Sequence, residues 1–235
     1  MSDLAKPHIK VIGFDADDTL WLNEVHYRHA ETQFCKLMEP WLTEREAKKE
    51  LFRAEMETLH LYGFGAKGFN LSMITTAVRI SNGQVTAETI DSIVELGLEL
   101  IQQPLELLDN VEKVLDRLSD DFRLIVATKG DLLDQERKLQ NSNLENYFHH
   151  IEIMSDKHEA SYRKLVRHLD IKPAEFLMVG NSLKSDVIPV LDIGAEAIHI
   201  PYHIDWEHEH VADTSKILPY TTLDHFHDLI EVLYV

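Results

Sequence analysis

The sequence predicts an α/β fold, a doubly wound parallel sheet into which a helical domain is inserted. Three observations carry this. The run "HIKVIGFDA" near the amino terminus is short and almost continuously apolar, as in a strand covered on both faces. Beyond Pro104, short apolar runs alternate with segments of helical periodicity, the pattern that builds right-handed crossovers and a parallel sheet with helices on both faces. Between these parts lies a long region that reads as helix alone. The economical partition is a sheet domain made of residues 1–20 and 105–235, with residues 21–104 threaded into it as a helical cap.

Taken in order, the first strand runs into "VIGFDADDTLW", which sends three aspartates among four residues off the end of a core strand. Two like charges about 4 Å apart repel by roughly 4 kcal/mol at an effective dielectric of 20. A surface turn could dilute that repulsion, but a fixed cluster calls for a cation. Residues 24–39, 43–61, 70–80 and 86–102 follow as helices. Thr43 and Thr86 stand at N-cap positions, and Thr86 has Thr89 three residues on instead of the Glu or Gln of a capping box. Asp109 can cap the next helix, which runs through Leu118 and puts Val111, Val114, Leu115 and Leu118 on one face. Strands are then expected over 122–128, 149–154, 175–180 and 195–200, separated by helices over 131–141, 158–169 and 184–192. A last helix, 222–233, closes the chain with Thr222 as its candidate cap. No internal repeat or low-complexity tract interrupts this order.

Composition sets bounds on function. The 235 residues are 44% hydrophobic and 27% charged, an ordinary globular balance with enough chain to bury a core unaided. Acidic residues outnumber basic ones 41 to 23, a formal net charge of −18, which argues against a general grip on the backbone of DNA or RNA. A small anionic substrate stays possible, because a metal and a few local cations can reverse the field inside one pocket. The single Cys35 excludes an internal disulfide and a multi-cysteine zinc site, and its place inside a cap helix reads as burial. The start "MSDLAKPHIK" lacks the apolar stretch of a signal peptide, and no run approaches 18 apolar residues. A cytoplasmic enzyme without a membrane partner is the expectation.

Ligands of such sheets bind at the carboxyl ends of the strands. Asp15, Asp17 and Asp18 follow the first strand; Thr128, Lys129 and Gly130 the second; Ser155, Asp156 and Lys157 the third; Gly180, Asn181, Ser182 and Asp186 the fourth. Carboxylates, a hydroxyl and lysines therefore converge on one edge. Here the sequence resembles the haloacid dehalogenase (HAD) superfamily of phosphohydrolases, whose core is Rossmann-like. "DADDTL" resembles the first motif, D-x-D-x-T. Thr128 in "VATKGD" fits the second, a Ser or Thr at a strand end. Lys157 in "SDKHEASYRKL" fits the third, and "GNSLKSD" fits the fourth, a G-D-S or G-N-S followed by another acid. Order and spacing match along the whole chain, including a helical cap inserted after the first motif.

The resemblance implies a Mg²⁺-dependent phosphatase of a small phosphorylated metabolite. Asp15 would be the nucleophile that forms an aspartyl-phosphate, and Asp17 the general acid and base. Thr128 and Lys157 would hold the phosphoryl oxygens. Mg²⁺ suits a few carboxylates plus substrate phosphate and water. It would sit among Asp15, the backbone carbonyl of Asp17, Asn181 and Asp186. Two positions depart from the family pattern. Asn181 stands where Asp is frequent, which leaves open whether Asn181 or Asp186 is the direct ligand. Lys129 stands where Asn is commoner, so it either touches phosphate or faces solvent. Asp18 is left out of the catalytic set, since it either supplies a backbone N–H or caps the following segment, and Lys164 is assigned to a solvated helix face.

"GFGAKG" (63–68) matches G-x-G-x-x-G literally but follows a helix, where a dinucleotide fingerprint follows a strand. It is either a flexible helix–helix connection or a cap loop in which Lys67 touches substrate. "HIDWEHEH" (203–210) lacks the H-E-x-x-H spacing and reads as a solvated acidic loop near the mouth of the site. Asp17 disfavours a dehalogenase, and Lys67 does not establish a phosphonatase. A phosphomutase, or a non-catalytic binding or regulatory protein on the same scaffold, remains the alternative.

Overall fold

A computed structural model describes residues 6–204 and 206–234. Residues 1–5, part of the segment that reads as lacking a signal peptide, and Asp205 of the acidic loop lie outside them. Strand β1 (Val11–Phe14) is buried along its whole length. It pairs in parallel with β2 (Arg123–Lys129) on one side and β4 (Phe176–Gly180) on the other. The sheet has six strands in the order β3-β2-β1-β4-β5-β6, all pairings parallel, with β3 at His150–Met154, β5 at Glu196–His199 and β6 at Thr221–Thr222.

The two-residue period of these strands divides the core. Ile12, Phe14, Leu124, Val126, Leu177 and Val179 enter one cluster, together with α5 (Val111–Ser119) and α9 (Leu229–Leu233). Val11, Ile125, Ala127, Phe176 and Met178 enter the other, with α7 (Glu159–His168) and α8 (Ile188–Leu191). Each fully buried aliphatic or aromatic side chain contributes roughly 1.5–3 kcal/mol, which makes this central layer the main anchor of the site. Gly13 has to be small there, since a Cβ would lie 2.7 Å from the Phe176 ring.

The chain divides into two compact units. One comprises residues 1–24, 105–129 and 136–235; the other residues 25–104 and 130–135. In the first, the segment after β1 pairs with the returning chain through Leu22 N to Glu106 O (2.9 Å) and Leu108 N to Leu20 O (3.0 Å). The second holds α1 (Glu24–Met38), α2 (Glu44–Tyr62), α3 (Ala66–Ile80) and α4 (Ala87–Gln102). Phe34, Met38, Leu51, Met73 and Ile93 form its core. Cys35 is buried in it, and burial pushes its thiol up to about 11. Thr43 heads α2 with a full capping box to Glu46, and Thr86 caps α4. No helix among the described residues is long and apolar enough to cross a membrane.

Four elements differ from the sequence reading. Helix α3 starts at Ala66, four residues early, because Gly63 and Gly65 at φ 71° and 114° turn the chain within three residues. Lys67 is thus helical and only residues 63–65 connect. The residue before α5 is Asn110, not Asp109; it takes φ 64°, which asparagine tolerates. The segment expected as one helix over 184–192 is a π-turn (Leu183–Val187) followed by α8. Pro189 has no N–H to donate back into the preceding turn, which favours the wider winding. Thr222 caps nothing: it lies in β6 opposite His199. The final helix is shortened to α9 behind a 3₁₀ turn at Phe226–Asp228, where Asp228 accepts from the His225 N–H.

Candidate active site

The carboxyl edge of β1 and β4 gathers a buried charge cluster. Asp15 follows β1, and its N–H is fixed by Val179 O of β4 (2.9 Å). Asp186 lies in the π-turn after β4, and Lys157 in the loop between β3 and α7. The Lys157 ammonium, with its side chain 1% exposed, donates to Asp15 Oδ1 (2.5 Å) and Asp186 Oδ1 (2.6 Å). Burial alone would lower the Lys157 pKa, but the two carboxylates outweigh it and hold it above its ordinary value. Two carboxylates share one ammonium, so the cluster keeps an excess negative charge. Burial first, then repulsion from Asp186, push Asp15 up to about 7 against the pull of Lys157. Gly180 makes room for this: a Cβ there would lie 2.2 Å from Asp186 Oδ2. The same Oδ2 accepts from Ser182 N (3.1 Å).

The other two aspartates of "DADD" face different partners. Asp17 Oδ1 accepts from Trp21 Nε1 (2.7 Å) and from Lys138 Nζ (2.9 Å), and Lys138 also reaches Asn23 Oδ1 (2.7 Å). Trp21 and Lys138 were not singled out from the sequence. Lys138 lies on α6 (Leu132–Ser142), more than a hundred residues from the motif, and no local pattern marks it. Asp18, at φ 58°, accepts from the N–H groups of Asn23 and Glu24 at the start of α1, which is the capping role, one of the two expected for it. Burial nonetheless pushes its carboxyl up to about 7. Thr19 Oγ1 donates to Asn181 Oδ1 (3.3 Å), and the Asn181 carbonyl accepts from His199 Nε2 (2.9 Å), so the first and fourth motifs are joined directly.

Thr128 is the penultimate residue of β2, buried at 2% exposure, with its hydroxyl on the Lys129 carbonyl (3.3 Å). Lys129 does not face solvent. Its ammonium donates to Ser185 Oγ (2.9 Å) and Glu209 Oε1 (2.5 Å). Glu209 also takes hydrogen bonds from Ser182 Oγ and Ser185 Oγ (2.5 and 2.6 Å). The "HIDWEHEH" segment is therefore not simply a solvated loop. Glu209, its side chain 14% exposed, anchors it to the motif-four turn. Burial would raise this carboxyl, but Lys129 and the serine hydroxyls prevail and hold it at about 2. The residue pattern offered no signal for this, because an acidic run is ordinarily solvated. Lys184 Nζ adds a second tether to His208 O (2.7 Å).

In the helical unit, Lys67 pairs with Asp131 Oδ1 (2.8 Å), an exposed contact that lowers the Asp131 pKa. Lys164 is exposed, as expected. The core unit thus brings together Asp15, Lys157 and Asp186, links Asn181 to Thr19, and ties Lys129 to Glu209. Such an edge can present a carboxylate to an electrophile while cations offset the charge that develops.

The sequence from residues 9 to 193 matches the family model of haloacid dehalogenase-like hydrolases. The mouse N-acylneuraminate-9-phosphatase is 24% identical over 200 residues, covering 80% of this chain and 81% of that protein. The glyceraldehyde 3-phosphate phosphatase of Pyrococcus furiosus is 26% identical over 97 residues, a match that spans 37% of this chain and only 40% of that protein. Among solved structures, a haloacid dehalogenase-like hydrolase from Xanthomonas campestris superposes with a TM-score of 0.80 at 37% identity, covering 87% of this chain and 88% of that one. YfnB, a HAD-hydrolase of Bacillus subtilis solved with bound magnesium, shares the fold at a TM-score of 0.66 and 16% identity over 97% of this chain and 99% of its own. The chain belongs to the haloacid dehalogenase-like hydrolases.

Proposed function

We propose that the protein hydrolyses a small phosphorylated metabolite through an aspartyl-phosphate on Asp15. The observation that carries the reading is the Asp15–Lys157–Asp186 cluster, buried at the carboxyl edge of the sheet with one carboxylate more than it has cations. An Asp15 oxygen attacks phosphorus as the ester P–O bond breaks, and Asp17 gives its proton to the leaving oxygen. Asp17 then takes a proton from water as that water attacks the acyl-phosphate, releasing phosphate and restoring the Asp15 carboxylate. Thr128 and Lys157 hold the non-bridging oxygens while charge redistributes. Trp21 and Lys138 orient Asp17 between its two tasks.

The donor set fits Mg²⁺. It consists of hard oxygens, the carboxylates of Asp15 and Asp186 and the amide oxygen of Asn181, with the Asp17 carbonyl implied by the family motif. The raised Asp15 pKa marks negative charge that a divalent ion would relieve. When bound, the ion neutralises the nucleophile against an anionic substrate and polarises the phosphoryl group. Either Asn181 or Asp186 could be the direct protein ligand beside Asp15.

The sugar-acid and triose phosphates in the names of the relatives support small phosphorylated carbohydrates as the substrate class. Residues 21–104 act as the cap that selects among them, with Lys67 a substrate contact. The free, buried Cys35 suits a reducing, cytoplasmic setting. Chelator-stripped protein assayed on a panel of sugar phosphates tests the reading. Phosphate release is expected only after Mg²⁺ is restored; full activity without a divalent ion, or none on any phosphate ester, would overturn it.

A further inference from the structure

A second cluster of ligating side chains lies away from the catalytic edge. His150 and Glu152 are two residues apart on β3, so their side chains leave the same face of the strand. His168 is the last residue of α7, the helix that packs back after the Lys157 loop. His150 Nε2 lies 2.9 Å from Glu152 Oε2, and His168 Nδ1 lies 3.8 Å from the same oxygen. The two imidazoles meet edge to face with centroids 5.0 Å apart. Among the described residues, this trio has one ligand atom from each member within 4.8 Å of the others.

We propose that His150, Glu152 and His168 form a binding site for a transition-metal ion of the Zn²⁺ class, separate from the catalytic cluster. Two imidazoles and a carboxylate suit Zn²⁺ and its neighbours, whereas Mg²⁺ prefers oxygen alone. Bonds of about 2.0–2.2 Å in a tetrahedron place ligand atoms about 3.3–3.5 Å apart. The observed spacings bracket that value. His168, 64% exposed, can adjust by side-chain rotation, while His150 and Glu152 are held on the strand at 28% and 21%. The fourth position is open to water. The position at the end of α7 helps, because a helix carboxyl terminus favours a cation, although Arg123 already caps the Leu169 carbonyl there.

The site lies at the amino-terminal end of β3, and Lys157 follows its carboxyl-terminal end, about 13 Å along the strand. An ion here staples the edge strand to the far end of α7. It thereby closes the βα unit whose connecting loop carries Lys157, at the edge strand of the sheet.

The test uses tag-free, chelator-stripped full chain in saturating Mg²⁺, so that the hard-oxygen site is filled. Calorimetry with Zn²⁺, the visible spectrum with Co²⁺ and the thermal midpoint are followed together. One equivalent should bind and raise the midpoint. His150→Ala and His168→Ala should each weaken binding about 100-fold, at or beyond the cost of losing a supporting contact to a metal ligand. Asp15→Asn should leave it unchanged. Absence of stoichiometric binding, binding untouched by both histidine variants, or loss of binding in Asp15→Asn would overturn the proposal. The result is independent of whether the catalytic edge hydrolyses phosphate esters.

Discussion

Two lysine–carboxylate clusters, one buried and one half-buried, sit at neighbouring strand ends of the same sheet, and they are balanced differently. Lys157 serves two carboxylates, and Asp15 is left raised to about 7. Lys129 donates to Glu209, which two serine hydroxyls also support, and that carboxyl falls to about 2. The first arrangement has one carboxylate more than it has cations, the charge that the proposed metal would offset. In the second, Lys129 and the serine hydroxyls outweigh the burial of Glu209. The contrast separates a cluster under electrostatic stress, the pattern of a candidate functional site, from one that fastens a loop.

Removing the stress should have the largest effect. Asp15→Asn should lower turnover on the order of 10⁶-fold, the scale seen when a covalent nucleophile is lost. The same change should stabilise the metal-free protein. A carboxyl raised from 3.8 to about 7 costs folding free energy that grows as pH rises through that window, roughly 2–4 kcal/mol above it. Denaturant melts of stripped protein at pH 8 should show the gain, and near pH 4 it should vanish. A stripped variant less stable than the parent at pH 8 would contradict the stressed reading.

Asp17→Asn should come next, with turnover down by roughly 10²–10⁴-fold, the usual share of a positioned acid/base. An aryl phosphate needs little protonation of its leaving group, so it should still phosphorylate Asp15. Hydrolysis then stalls, and an acid-stable, hydroxylamine-sensitive phosphoenzyme should accumulate in rapidly quenched samples. Mass spectrometry that finds the phosphate on serine or histidine would reject the mechanism.

The balanced cluster should respond through stability. Glu209 is held below its ordinary 4.5, so its contribution is full above that pH and is lost as pH falls through about 2. Glu209→Gln should therefore cost about 2–3 kcal/mol at pH 7 and less as acid is added. Proteolysis within residues 201–210 should report the freed segment. A pH-independent cost would mean that packing, not the Lys129 pair, holds the loop.

Lys67→Ala should be the mildest change. Its ion pair with Asp131 is exposed and worth about 0–1 kcal/mol, so stability should hardly move. As a substrate contact, Lys67 should matter more for a sugar phosphate than for a small aryl phosphate. Equal effects on both, measured as kcat/KM, would remove it from that role.

The alternation of apolar runs and helical periods determined the parallel sheet, the inserted helices and the strand ends at which Asp15, Thr128, Lys157, Asn181 and Asp186 lie. Those features are legible because burial on two faces imposes a local pattern on each strand, and because a loop at a strand end follows directly from it. Chain breaks such as the π-turn before Pro189 and the early start of α3 were harder, since they depend on which hydrogen bonds a neighbour can supply. Tertiary structure alone decided the partners of each charge. Lys138 beside Asp17, Glu209 beside Lys129, and His168 beside Glu152 are brought together across 121, 80 and 16 residues of sequence. A single charged side chain leaves no periodicity behind, and its electrostatic meaning is set by what the fold places within a few ångströms of it.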